Sequence, residues 1–243
     1  MYRIKKILLS LFFLFPLFIH AQNRSDVSKK WYRSDAGDVC LFSFSNVSRN
    51  GVELRDVPRF IYMNSTTYLN KDFSNRAGFL TGFSVNNIGL IYDENDSVRF
   101  KRRVITAGLS AGFKFGNLSK GSYFFVEGQM NFALNYKEKR FVNDKKIEKS
   151  NTWFGEQTPL LMPSVSAGWL LEGIGLKAQY FPGNFFNPDY QEGIVKPFAG
   201  MESQIFLISF SYNMKSTKRT KTKKAAMSFE KTDTNGKGMM SRS

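Results

Sequence analysis

Residues 104–115 read VITAGLSAGFKF, and this stretch decides the fold class. Ile105, Ala107, Leu109, Ala111, Phe113 and Phe115 fall on one side of an extended chain. Val104, Thr106, Gly108, Ser110, Gly112 and Lys114 fall on the other. Successive side chains of a strand point to opposite faces, so the pattern makes one apolar wall and one small, mostly polar wall. A helix would space its apolar residues three and four apart, which this stretch does not.

Working outward, the same period recurs. In 123–137, Phe124, Val126, Gly128, Met130, Phe132, Leu134 and Tyr136 share one face, and Glu127, Gln129, Asn131, Asn135 and Lys137 the other. Residues 161–172 place Leu161, Val165, Ala167, Trp169 and Leu171 opposite Ser164, Ser166, Gly168 and Glu172. Ile174, Leu176, Ala178 and Tyr180 alternate with Gly175, Lys177 and Gln179, and Phe206, Ile208, Phe210 and Tyr212 with Leu207, Ser209, Ser211 and Asn213. With strands at 38–47, 59–69 and 77–91, the reading is all-β with eight strands.

The connections alternate in length. Those at 70–76, 117–121 and 172–175 are short, and those at 48–58, 93–101, 140–159 and 184–203 are longer and rich in charge, Asn and Pro. An even strand number with short turns at one end and long loops at the other describes an up-and-down transmembrane barrel with both termini periplasmic. Only helices and closed barrels satisfy their backbone groups in hydrocarbon, and beyond the N-terminus no apolar run is long enough for a spanning helix. Phe115, Phe124, Trp169, Phe210 and Tyr212 would form one aromatic girdle, Tyr136 and Tyr180 the other. Alternation alone also permits a soluble, lipocalin-like carrier with its apolar face inward. The polar face decides against that. Its Gly and Ser residues, mixed with Lys114, Glu127, Gln129, Lys177 and Gln179, suit a narrow packed lumen. Glu127 is expected to neutralise Lys114 or Lys177, because an unpaired buried charge is costly.

The N-terminus reads as an export signal, residues 1–21. Arg3, Lys5 and Lys6 precede the apolar run Ile7–Ile19, and Ala21 offers a cleavage site. The rest divides into an N-terminal periplasmic segment (22–37), the barrel (38–213) and a basic tail (214–243) read as disordered. The chain holds 35 Lys and Arg against 20 Asp and Glu. The tail concentrates this excess in Lys218, Arg219, Lys221, Lys223 and Lys224. Its first reading is a solvated segment, its alternative for an exported chain a tether to an acidic partner or anionic surface, not nucleic acid.

Catalytic motifs are weak. Gly108-Leu109-Ser110-Ala111-Gly112 matches the nucleophile-elbow pattern, but it lies within an alternating strand, and His20, the one histidine, belongs to the signal. Cys40 is the one cysteine, a small apolar strand residue that can form no internal disulfide. No catalytic, metal or cofactor site is expected.

The run AGFLTGFSVNNIGLIYDENDSVRFKRRVITAGLSAGFKFGN, together with FALNYKEKRF and the signal ending Ala21-Gln22, resembles outer-membrane β-barrel proteins of the bacteroidete group. The resemblance covers roughly 38–213. It implies an eight-stranded barrel of the OmpA membrane-domain kind, with a PorT-like role in secretion as a further implication. The expected function is a non-enzymatic structural, binding or assembly component of the outer membrane. It would be in contact with outer-membrane lipid and would meet a protein partner through its outer loops, with Trp153 and Phe154 as anchors, or through the tail. The alternatives are a lipid-modifying membrane enzyme, a soluble periplasmic carrier and a narrow pore. Oligomeric state is open.

Overall fold

A computed structural model describes residues 31–60 and 62–215. The signal segment, most of the basic tail, and with it Lys218, Arg219, Lys221, Lys223 and Lys224, lie outside the described residues. In chain order the strands are β1 (Tyr32–Arg49), β2 (Val52–Glu53), β3 (Arg55–Asp56), β4 (Tyr62–Asp72), β5 (Ala77–Asn95), β6 (Val98–Asn117), β7 (Ser122–Val142), β8 (Lys145–Trp153), β9 (Leu161–Leu171), β10 (Ile174–Phe181) and β11 (Met201–Lys215). Antiparallel pairing runs β1-β4-β5-β6-β7-β9-β10-β11, and β11 returns to β1, closing a ring of eight strands. The eight expected strands, five of them read from the period of two, fall on the eight ring strands.

The alternation resolves into an apolar exterior and a polar interior. Leu109, Phe113, Val126, Met130, Phe132, Val165, Trp169 and Phe210 are exposed, Leu109 by 57% and Phe113 by 52%. Facing inward, Lys114, Glu127, Gln129, Lys177 and Gln179 are buried, Lys114 to 1% and Glu127 to 2%. A soluble carrier would have the reverse. On β6 the outward apolar residues run from Phe115 to Ile105, about eleven positions, which is what a tilted strand needs to cross the bilayer core. A closed ring of eight antiparallel strands with such a band is the architecture of an outer-membrane β-barrel.

The turns at 73–76, 118–121 and 172–173 gather at one end of the barrel, beside Tyr32 and Lys215. The second is bonded to the third, Gly173 N–H donating to Gly121 O at 2.9 Å, and Asn213 N–H donates to Gly173 O at 2.7 Å. Gly173 has φ 88°, a conformation that a side chain would strain.

Four sequence expectations are corrected. Pairing starts at Tyr32, opposite Asn70, so residues 32–37 belong to the barrel wall, as do Met214 and Lys215 at the other boundary. Arg33 and Asp35 on the outward face of β1 interrupt its apolar wall and hide the strand in the sequence. Residues 93–101 are no loop: β5 and β6 continue through them to a tight turn at 96–97. Much of 140–159 is likewise the β7–β8 hairpin, turning at Asn143 and Asp144, both with positive φ. In both, charge density reflects strands that have left the hydrocarbon, and the alternation persists in polar form. Finally, Tyr136 points inward and is buried, not part of a girdle. A β-bulge opposite Ile105 and Thr106 inserts one residue into β7, which turns every later side chain to the other face.

Candidate functional site

The interior carries a polar network and two apolar clusters, the smaller one, which includes Tyr68, Leu80, Tyr123, Phe125 and Leu170, on the turn side. At the level of the apolar band, polar side chains from opposite walls meet. Lys177 on β10 lies 2.8 Å from Glu127 on β7 and 3.2 Å from Asp38 on β1. Tyr68 Oη on β4 donates to Glu127 Oε2 and Ser166 Oγ on β9 donates to Oε1, both at 2.9 Å. Ser211 Oγ donates to Asp38. Glu127 therefore pairs with Lys177. Lys114 belongs to a separate group nearer the turns, 2.8 Å from Asp72, and donates to Tyr32 Oη at 2.6 Å and Asn70 Oδ1 at 3.0 Å.

On the loop side of Glu127 an amide chain takes over. Gln179 donates to Gln129 Oε1 at 3.0 Å and to Ser164 Oγ at 2.9 Å, and Asn86 donates to Asn131 Oδ1 at 2.8 Å. Gly108 makes room for this chain, because a Cβ there would lie 2.4 Å from both Gln129 Nε2 and Ser84 Oγ. Lys114, Glu127, Gln129, Lys177 and Gln179 are all buried. Asp38 and Asp72, the partners of the two lysines, were missed, Asp38 as the first residue of the first predicted strand and Asp72 as part of a turn.

Beyond the band the interior turns apolar. Val104, Ile205, Leu207, Met162 and Phe181 line it, and the long connection 182–200 folds back into it. Phe185, Phe186 and Phe198 are buried, Phe186 and Phe198 stacked at 4.7 Å. At the centre sits Arg102. Its guanidinium lies 4.3 Å from the Phe100 ring centroid, 4.9 Å from Phe198 and 5.0 Å from Phe186. Its Nε donates to Glu138 Oε2 at 2.7 Å, which also accepts from Tyr136 Oη at 2.8 Å. Arg102 also donates to the Tyr92 hydroxyl, which burial pushes up to a pKa of about 12. The stretch 184–203, expected to be a contact loop, is therefore in its aromatic part a plug. The sequence signal was Phe185-Phe186 together with Phe198, too apolar for a solvated loop. Its tip remains outside, with Ile194 fully exposed and Val195 exposed.

Arg102→Ala leaves Glu138 without its cation and the plug without its strap. Truncating one partner of a buried charged pair costs about 3–5 kcal/mol, here in the opening of 182–200. The expected outcome is rapid proteolytic nicking within that connection while the barrel stays intact, read by mass spectrometry of the fragments. Equal resistance in both proteins would contradict the strap.

Trp153 and Phe154 are exposed, Trp153 by 62%, but they lie at the base of the β7–β8 hairpin, not at its tip. Trp153 pairs with Asn135, itself buried and paired with Ile105 on β6. Ser110 faces the lumen in mid-strand, away from any strand-to-helix turn. Cys40 is buried at a bulge in β1. A cavity of about 330 Å³ opens at the turn end, lined by Tyr32, Asn70, Tyr123, Glu172 and Lys215 among others.

No protein-family model matches the chain, and no curated protein matches it in sequence. Among solved structures, it is similar to the attachment invasion locus protein Ail of Yersinia pestis, crystallised with the heparin analogue sucrose octasulfate, at 13% identity and TM-score 0.39 over 76% of this chain and 99% of that one. It is similar to Neisserial surface protein A at 10% identity and TM-score 0.34, over 79% of this chain and 100% of that one. The outer membrane protein OprG of Pseudomonas aeruginosa gives 10% identity and TM-score 0.35, with the same coverage.

Proposed function

We propose that this barrel is a non-enzymatic binding or assembly component of the outer membrane, with its termini in the periplasm and its hairpin and long connection outside. The observation that carries the reading is a contrast. Inside, Lys114, Glu127 and Lys177 are paired with opposite charges and the loop-side mouth is plugged; beyond the band, Ile147 on β8 and Ile194 and Val195 at the connection's tip stand exposed. Exposed apolar side chains on a rigid scaffold suit a protein partner. Glu127 suits a structural role better than acid–base chemistry, since Lys177, Tyr68 and Ser166 already occupy its oxygens.

Orientation is tested with Asp144→Cys in a Cys40→Ala background. A membrane-impermeant maleimide is expected to label this site on intact cells. Labelling only after lysis would reverse the orientation. Replacing Ile147, Ile194 and Val195 with Asp is expected to remove surface crosslinks to a neighbouring protein while preserving heat-modifiable gel mobility. An unchanged crosslinking pattern, or a lipid modification lost with Glu127→Ala, would overturn the proposal.

A further inference from the structure

Immediately beyond the lipid-facing band, the outward face of β6, β7 and β8 carries a ladder of like charges. Register places Arg103 opposite Lys137, and Lys101 opposite Lys139, which in turn lies opposite Lys149. Lys146 stands one row further, opposite Phe141. Like charges directly opposed on one face of a sheet destabilise it. Here the repulsion is uncompensated. Arg99 on the same face is held by Asp93 at 2.6 Å, but among the described residues none of Lys101, Arg103, Lys137, Lys139, Lys146 and Lys149 makes an ion pair. The one contact of this kind is Lys101 over the Phe141 ring at 4.9 Å. The Lys139 ammonium is held below its ordinary pKa, first by slight burial and then by Arg103, Lys146, Lys149 and Lys101, so these cations feel one another.

The height of the ladder points to its occupant. Two residues along a strand tilted by about 40° climb roughly 5 Å along the membrane normal. Arg103 and Lys101 follow Ile105, the last apolar outward residue of β6, by two and four positions. They therefore sit roughly 5 and 10 Å beyond the hydrocarbon, in and just above a headgroup layer about 5–7 Å deep. Trp153, exposed beside them, is the residue type that marks this interface.

We propose that this ladder binds the phosphate-bearing headgroups of lipids in the adjoining leaflet, the lipids whose tails cover Leu109 and Phe132. The proposal rests on the membrane-spanning reading of the barrel. Position supports lipid over a soluble anion, because the cations continue the lipid-facing surface along the same strands. Phosphate groups seated between opposed lysines would relieve the repulsion that the protein leaves uncompensated.

The test is native mass spectrometry of the full-length protein in dodecylmaltoside, with phosphatidic acid or phosphatidylcholine added. A preference for phosphatidic acid is expected. Lys101→Gln, Lys139→Gln and Lys149→Gln together should weaken it at least roughly tenfold. The corresponding three Arg substitutions should retain it, and excess inorganic phosphate should not displace the lipid. Equal binding of the two lipids, a preference surviving the Gln variant, or full displacement by inorganic phosphate would each overturn the proposal. Heat-modifiable mobility and carbonate extraction are measured alongside. A chain that washes off membranes would refute the membrane reading itself, whereas an inserted barrel without lipid preference would refute only this inference.

Discussion

Lys177→Met is expected to destabilise the barrel by roughly 3–5 kcal/mol, the usual cost of removing one partner from a buried ion pair. The reason is visible in the lumen. One ammonium stands 2.8 Å from Glu127 and 3.2 Å from Asp38, on walls that do not pair with each other. Without it, two carboxylates share a narrow interior. Against a typical net stability of about 5–15 kcal/mol, that loss is large. Urea titration in phosphatidylcholine vesicles, followed by tryptophan fluorescence, measures it. The counter-test is a triple variant in which Glu127→Gln and Asp38→Asn accompany Lys177→Met. It removes every orphaned charge while Tyr68, Ser166 and Ser211 keep amide partners, so most of the stability should return. Buried pairs often contribute little against a neutral replacement even though breaking one is costly. A Lys177→Met protein as stable as the wild type would show that the three charges are not coupled as the distances imply.

The central strands were legible because lipid on one side and a packed polar lumen on the other impose a strict period of two. Val104–Phe115 could be assigned to faces residue by residue. Legibility failed where that contrast fades. Beyond the hydrocarbon both faces of β5, β6 and β7 can carry charge without penalty, so Arg99–Lys101 and Arg140–Val142 read as loop although they are paired strand. The bulge in β7 carries no local signature, since Ala133, Leu134 and Asn135 are ordinary strand residues, yet it reverses the facing of Tyr136 and Lys137. That reversal matters for function, because it brings Lys137 and Lys139 outward beside Arg103 and Lys101 and sends Tyr136 and Glu138 inward to Arg102. Where the plug docks was illegible for another reason. Phe186 and Phe198 find Arg102 through tertiary folding of a long connection, a contact that no spacing in the sequence encodes.

Leu109→Arg is expected to cost about 2–4 kcal/mol in vesicles, the penalty for a cation on the lipid face near the bilayer midplane. Leu109 lies near the middle of the apolar run on β6, with its side chain more than half exposed. Ile105→Arg, at the loop-side edge of the same run, should cost only about 0–1 kcal/mol, because there the side chain reaches the headgroups. The pair separates lipid contact from every other explanation of an exposed leucine. On a soluble barrel both positions would face water, and surface substitutions there usually stay within about 0.5 kcal/mol. Depth dependence is therefore the deciding feature. Urea midpoints in phosphatidylcholine vesicles should fall steeply for Leu109→Arg and barely for Ile105→Arg. Equal midpoints would mean that water, not hydrocarbon, covers the outward wall, and the functional reading built on that wall would fall with it.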